Sequence, residues 1–132
     1  MKVQALLAAA VEASRFAQAP YSRFKVGAAL LTSTGQIVTG ANVESASFGL
    51  TCCAERVALF KALTAGHTKF RALAVVARLS GGPMPCGACR QLLAEYAPHA
   101  QVWVADSRSL AKPRKFSVKA LLPRAFMLTG RA

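Results

Sequence analysis

The sequence predicts an α/β layered domain with helices on both faces of a sheet, and three observations lead there. Apolar segments of strand length alternate with longer segments of helical periodicity. The central segment, Ala72 to Ala77, is a short unbroken apolar run of the kind buried on both faces. With 132 residues at 54% hydrophobic content, the chain can bury one sizeable core without disulfide staples. A single domain over residues 1–132 is therefore expected, with no repeat, linker or low-complexity stretch.

The apolar run from Ala5 to Val11 superficially resembles a signal peptide, but the flanking Gln4, Glu12 and Arg15 spoil the likeness. Val3, Leu7, Ala10, Val11 and Ala17 recur at helical spacing, which predicts an amphipathic helix packed on the domain. Pro20 breaks that pattern. Lys25 to Thr32 and Gln36 to Ala41 then read as two strands joined by a turn around Ser33 to Gly35, a hairpin. Asn42 to Thr51 is a polar loop, and Cys53 to Ala65 a helix stopped by Gly66. After the strand Ala72 to Ala77 come a turn-rich loop, Ser80 to Pro85, and a helix from Cys86 to Tyr96 closed before Pro98. Gln101 to Ala105 is another strand. The tail holds a short strand near Phe116 and a helical turn from Val118 to Leu122 before Pro123.

Composition narrows the functional classes. No apolar run is long enough to span a membrane. Cys52 and Cys53 are adjacent and Cys86 and Cys89 form a C-x-x-C, a pattern that favours metal or redox chemistry over disulfides and points to a reducing, cytoplasmic setting. Lys and Arg number 17 against 5 Asp and Glu, a net charge of +12 that attracts polyanions. The cations are densest at Lys112, Arg114, Lys115 and Lys119. No aromatic-interleaved basic stripe accompanies the charge, so the expected nucleic-acid binding is non-specific and electrostatic only.

Two segments carry the chemistry: Cys53-Ala54-Glu55 and Pro85-Cys86-Gly87-Ala88-Cys89-Arg90. They offer three soft thiolates and one carboxylate that is not needed as a ligand, the make-up of a catalytic zinc site whose fourth position is left for water. Both lie where a helix begins, so unpaired N–H groups and two positive dipole ends lower thiol pKa and favour metal binding. Cys86 and Cys89 share one helical face. Cys53 and Glu55 would diverge on an ideal helix, which requires Cys53 at or just inside the helix entry. Three thiolates on one zinc ion leave net negative charge, which Arg56, following Glu55, and Arg90, following Cys89, could offset from behind the ligands, Arg56 as the main compensator. Arg90 could instead pair with Glu95 on the surface. Cys52 reads as a small buried hydrophobe, Trp103 as core, and His67 and His99 as surface residues.

On these motifs the chain resembles the small, homo-oligomeric, zinc-dependent cytidine deaminases, a family whose sequences carry a ligand, then Glu two residues on, then Pro-Cys-x-x-Cys. The likeness runs from about Pro20 to Phe126 and includes Pro20-Tyr21-Ser22-Arg23-Phe24-Lys25-Val26-Gly27, Gly40-Ala41-Asn42-Val43-Glu44 and Leu121-Leu122-Pro123-Arg124-Ala125-Phe126. The resemblance implies a three-layer α/β/α sandwich with a mixed central sheet, one zinc ion per subunit on Cys53, Cys86 and Cys89, and Glu55 as proton carrier. It implies that Asn42 and Glu44 bind the sugar hydroxyls, that Phe24 packs on the base, and that the main chain at Ala54 meets a base oxygen. Phe126 would enter the site of a neighbouring subunit in a homotetramer. The implied reaction is hydrolytic deamination of cytidine and deoxycytidine to uridine and deoxyuridine, with release of ammonia, in pyrimidine salvage. Phe48 stands where the family often has Tyr, Met127 where it often has Gly, and the basic segment Lys112 to Lys119 is atypical. Three rivals are a deaminase of another cytosine nucleoside, a deaminase of RNA, and a non-catalytic zinc-stabilised RNA-binding module.

Overall fold

The computed structural model describes residues 3–128. Five strands form one mixed sheet in the order β2-β1-β3-β4-β5. They are β1 (Val26–Thr32), β2 (Ile37–Ala41), β3 (Phe70–Ala77), β4 (Gln101–Asp106) and β5 (Arg114–Ser117). Only β3 and β4 run parallel, and they are joined through α3 (Gly87–Tyr96), as a parallel pair requires a crossover. The other pairs are antiparallel.

Strand alternation sorts the core into two layers. Ala29, Leu31, Ala74, Val76 and Ala105 face α1 (Val3–Ser14), which buries Leu6, Leu7 and Ala10 against them. Ala28, Leu30, Leu73, Val75, Val102 and Val104 face the opposite way, onto Ala58, Leu59 and Ala62 of α2 (Ala54–Thr64), Leu93 and Ala94 of α3, and Val118 and Leu121 of α4 (Val118–Leu121). The result is the expected three-layer α/β/α arrangement. Each fully buried Leu or Val contributes roughly 1.5–3 kcal/mol of transfer free energy. β3, at the centre, is apolar on both faces, which is why its sequence shows no alternation.

α2 can lie against β2 only because residue 40 is glycine: a Cβ there would sit 2.5 Å from Ala58 N and 2.7 Å from Ala54 O. The first turn of α2 is thereby held close to the sheet, and Cys53 with it.

Some boundaries differ from the sequence reading. The N-terminal helix stops at Ser14, short of Ala17, because the N–H groups of Arg15, Phe16 and Ala17 each turn back to a carbonyl three residues earlier. Ala17 still reaches the core, from that tightened turn. The loop after Asn42 contains a 3₁₀ turn, Phe48–Leu50, and a backbone bridge between Val43 and Cys52. Trp103 is half-buried rather than core, with Lys115 Nζ 5.7 Å from its ring centre.

Candidate active site

Cys53 is the N-cap of α2 and Cys86 the N-cap of α3, both with extended backbone, and Cys89 lies in the first turn of α3. The helix-entry position demanded of Cys53 is met. Its carbonyl accepts from Val57 N at 3.1 Å and that of Cys86 from Arg90 N at 2.9 Å, so each helix starts at its cysteine and leaves the side chain free. The three sulfurs lie within 4.8 Å of one another, Cys53 Sγ and Cys86 Sγ at 3.8 Å. Sulfurs at the corners of a tetrahedron with ~2.3 Å zinc–sulfur bonds are separated by about 3.8 Å, so the donor set fits that ion. Among the described residues no fourth Cys, His, Asp or Glu joins this group. Neither Cys52 nor a histidine is part of it.

Glu55, in the first turn of α2, is 6% exposed. Burial, with the Cys53 sulfur adding to it, pushes its carboxyl up to about 7 against the lowering effect of its own backbone N–H, Arg56 and the Cys89 thiol. A hydrogen bond with the Cys89 thiol, assisted by Arg56 and Cys86 and opposed by burial, brings Cys53 down to about 5. The same bond, with burial, holds Cys89 protonated to higher pH. The cluster thus centres negative charge on Cys53. Arg56 meets that charge: Nη2 donates to Cys53 Sγ at 3.5 Å and to Thr51 O at 3.2 Å, while its buried Nε has no partner among the described residues.

Beside the sulfurs is a cavity of about 230 Å³, lined by Phe24, Asn42, Thr51, Cys53, Ala54, Glu55, Met84 and Cys86 among others. It is predominantly apolar in outline with a few polar groups, as a ligand pocket for a flat heterocycle requires. Cys52 also lines it, half-buried rather than in the core, and burial pushes its thiol up.

Several anticipated residues sit elsewhere or are already engaged. Asn42 brackets the chain before β1, accepting from Val26 N at 2.9 Å and donating to Phe24 O at 2.8 Å. Each of its polar atoms still has capacity for one further bond. Glu44 borders a separate hollow with Tyr21, Ser22 and Phe48, which shares Thr51 with the cavity. Its carboxylate accepts from Tyr21 N and Ser22 N at 3.0 Å and from the Ser22 hydroxyl, and the Ser22 bonds hold it below the usual carboxylate range. Phe126 does not line the cavity. It is 70% exposed, with its carbonyl tied to Gln91 Nε2 at 2.8 Å. Arg90 bonds no sulfur: it donates to Pro85 O at 2.7 Å and Leu121 O at 3.0 Å, fixing the main chain just before Cys86 and docking α4.

Sequence reading missed Pro83 and Met84, which line the cavity from the loop after β3. Gly82 carried the signal. It has φ +81, and a Cβ on it would meet Ala105 N and Val104 Cγ1 at 2.6 Å, so this loop passes tightly over β4 before reaching the cysteines.

Three convergent sulfurs able to hold a metal ion, with no fourth such donor among the described residues, beside a buried acid and beyond the carboxyl end of β3 in an α/β/α protein, define the class of metal-dependent hydrolytic enzymes. Residues 1–105 match the family described as cytidine and deoxycytidylate deaminase zinc-binding region. A cytidine deaminase of Halalkalibacterium halodurans is 48% identical over 126 residues, 96% of this chain and 95% of that protein. The crystal structure of cytidine deaminase from Burkholderia pseudomallei superposes with a TM-score of 0.91 at 48% identity, covering 96% of this chain and 100% of that one. The Mycobacterium tuberculosis structure gives 0.83 at 39% identity over 97% and 99%. The chain belongs to the cytidine and deoxycytidylate deaminase family, and its three-cysteine cluster is able to hold the zinc ion for which that region is described.

Proposed function

We propose that the protein hydrolyses cytidine and deoxycytidine to uridine and deoxyuridine, releasing ammonia, as a one-domain subunit of a cytoplasmic homotetramer serving pyrimidine salvage. The observation that carries this reading is the carboxyl of Glu55, buried beside three convergent sulfurs and poised near neutral pH. Cys53, Cys86 and Cys89 would hold one zinc ion per subunit. When bound, zinc supplies Lewis acidity that makes water a nucleophile near neutral pH.

Glu55 does the proton work. Its carboxylate removes a proton from the attacking water as oxygen adds to C4 and delivers it to N3, then carries the remaining hydroxyl proton to the departing amine as the carbonyl forms. A group titrating near 7 suits both directions. Phe24 offers a ring face for the pyrimidine, and the main chain at Ala54 a donor for the base oxygen. Asn42 has hydrogen-bonding capacity to spare for a sugar hydroxyl. Glu44, locked as an anion by Tyr21 and Ser22, is a pre-aligned acceptor for another. Arg56 offsets thiolate charge, whereas Arg90 acts through the backbone beside Cys86. The exposed Phe126 side chain is available to complete the site of a neighbouring subunit.

Purified protein incubated with cytidine should lose absorbance as uridine forms and should stop when a chelator is added. Glu55→Gln should abolish ammonia release while zinc content and folding persist. Retained turnover in that variant, or comparable turnover on an RNA oligonucleotide, would replace this reading.

A further inference from the structure

A second hollow lies on the other face of the same sheet edge. Its volume is about 340 Å³, and it is lined by Arg23, Lys25, Arg78, Ser107 and Ser14, with Phe24 common to it and the cavity beside the sulfurs. The register explains the grouping. Val26 pairs with Ala77 and Ala77 with Asp106, so the next residue out along each strand places Lys25, Arg78 and Ser107 in one row. Continuing the pleat, all three fall on the face that carries Ala29, Val76 and Ala105, where Ser14 ends α1. Arg23 joins them from a left-handed backbone conformation, φ 58, the one non-glycine residue in that region among those described.

Three cations around one concavity repel each other, and no hydrogen bond or ion pair in the described chain offsets that repulsion. The side chains of Arg23, Lys25 and Arg78 make no hydrogen bond or ion pair among the described residues. Asp106 feels Arg78, but both of its oxygens are taken by Arg108, at 3.0 and 2.9 Å. The last carbonyls of α1 accept from Arg15, Phe16 and Ala17, and the Ser14 hydroxyl donates to Val11 O. The basic stretch on β5 contrasts with this. There Arg114 donates to Gly81 O and lies over Phe116, and Lys115 lies over Trp103.

We propose that this hollow is a phosphate-binding site, taking a tetrahedral oxyanion between the guanidinium groups of Arg23 and Arg78, the Lys25 ammonium and the Ser107 hydroxyl. Two forked donors, a point charge and a hydroxyl match an anion with oxygens on every side. The position obeys the rule that ligands settle beyond the carboxyl ends of parallel strands, here β3 and β4. The same chemistry is presented by free inorganic phosphate and by the phosphate of a nucleotide, whose base could lie across Phe24.

The test is calorimetric titration of the zinc-loaded protein with sodium phosphate at constant ionic strength, and separately of Glu55→Gln protein with cytidine 5′-monophosphate and with cytidine. We expect saturable binding of phosphate at one site per chain, weakened by about tenfold or more in Arg78→Ala and in Lys25→Ala. Arg71→Ala removes the same charge at the far end of β3, where Arg71 reaches Ser33 O, and should change affinity by less than about twofold. Binding of the nucleotide alone, lost in Arg78→Ala while cytidine binding persists, also supports the site and assigns it to a nucleotide phosphate. No saturable binding of either ligand, or equal weakening by Arg71→Ala, overturns it. The phosphate titration reads independently of whether cytidine is the substrate.

Discussion

Arg56 and Glu55 are neighbours with opposite relations to the sulfur cluster. Arg56 stabilises negative charge on Cys53 through a charge-assisted bond, an interaction of about 1.5–3 kcal/mol when buried. Arg56→Ala should therefore lower turnover by roughly tenfold to a hundredfold while leaving zinc stoichiometry intact, read by elemental analysis beside steady-state kinetics. Unchanged turnover would remove its compensating role. Glu55 is disfavoured as an anion, first by burial and then by the Cys53 sulfur. Its carboxyl is pushed up to about 7 in the folded chain, against 4.5 for an exposed group. Between those values the folded state keeps a proton that the unfolded chain has released, so metal-free protein loses stability as pH rises through this window. The full loss is about 3 kcal/mol. Denaturant titrations of metal-free wild type and Glu55→Gln from acid to mildly alkaline pH should converge at the acid end, separate as pH rises through this window and stay apart above neutrality, with wild type the weaker. Parallel curves would show that burial does not perturb Glu55.

At the scale of elements, Cys53 and Cys86 stand at helix N-cap positions and Cys89 in a first turn, so whatever moves a helix moves a sulfur of the cluster. Gly40→Ala forces a methyl group against Ala58 N and Ala54 O, so α2 must back away from β2. Overpacking of this kind costs typically ~1–3 kcal/mol, and here the displacement carries Cys53 away from Cys86 and Cys89. The variant should melt lower and also bind zinc more weakly in a chelator competition. Lower melting with unaltered zinc affinity would mean that α2 shifts as a whole without disturbing its cap. The sequence showed both capped helices because Gly66 ends α2, Pro98 follows α3, and a cysteine precedes each. It did not show the 3₁₀ turn Phe48–Leu50, whose apolar side chains are largely exposed and so leave no amphipathic pattern. It also began β3 at Ala72 rather than Phe70. The exposed Arg71 hides that extension, and the register irregularity at Leu31 and Thr32 shifts the pairing there.

For the molecule as a whole, charge outweighs pairing. Against 17 Lys and Arg stand 5 acids, of which Glu55 is buried in the site and Glu44 bonded to Ser22. The two ion pairs among the described residues, Arg15 with Glu12 and Arg108 with Asp106, are surface pairs and contribute little. Self-repulsion should dominate, so the melting temperature should rise as sodium chloride is increased from about 20 to about 500 mM, where the screening length becomes shorter than the spacing of most charges. A fall would mean that attractive pairs outweigh the net charge. The same excess makes Arg71→Ala the necessary control for the phosphate hollow, since any single cation removed lowers attraction for an anion.

The sequence by itself determined the layers, the two helix-borne cysteine motifs and the acid beside them, because periodicity, capping and ligand spacing are local properties of neighbouring residues. Tertiary structure alone decided what those neighbours face. It turned Arg90 toward carbonyls rather than sulfur, set Glu44 in a hollow of its own, brought Pro83 and Met84 over the cavity, and aligned Lys25, Arg78 and Ser107 across three strands. Such meetings depend on sheet register and on how closely helices approach the sheet, and no stretch of contiguous residues encodes either.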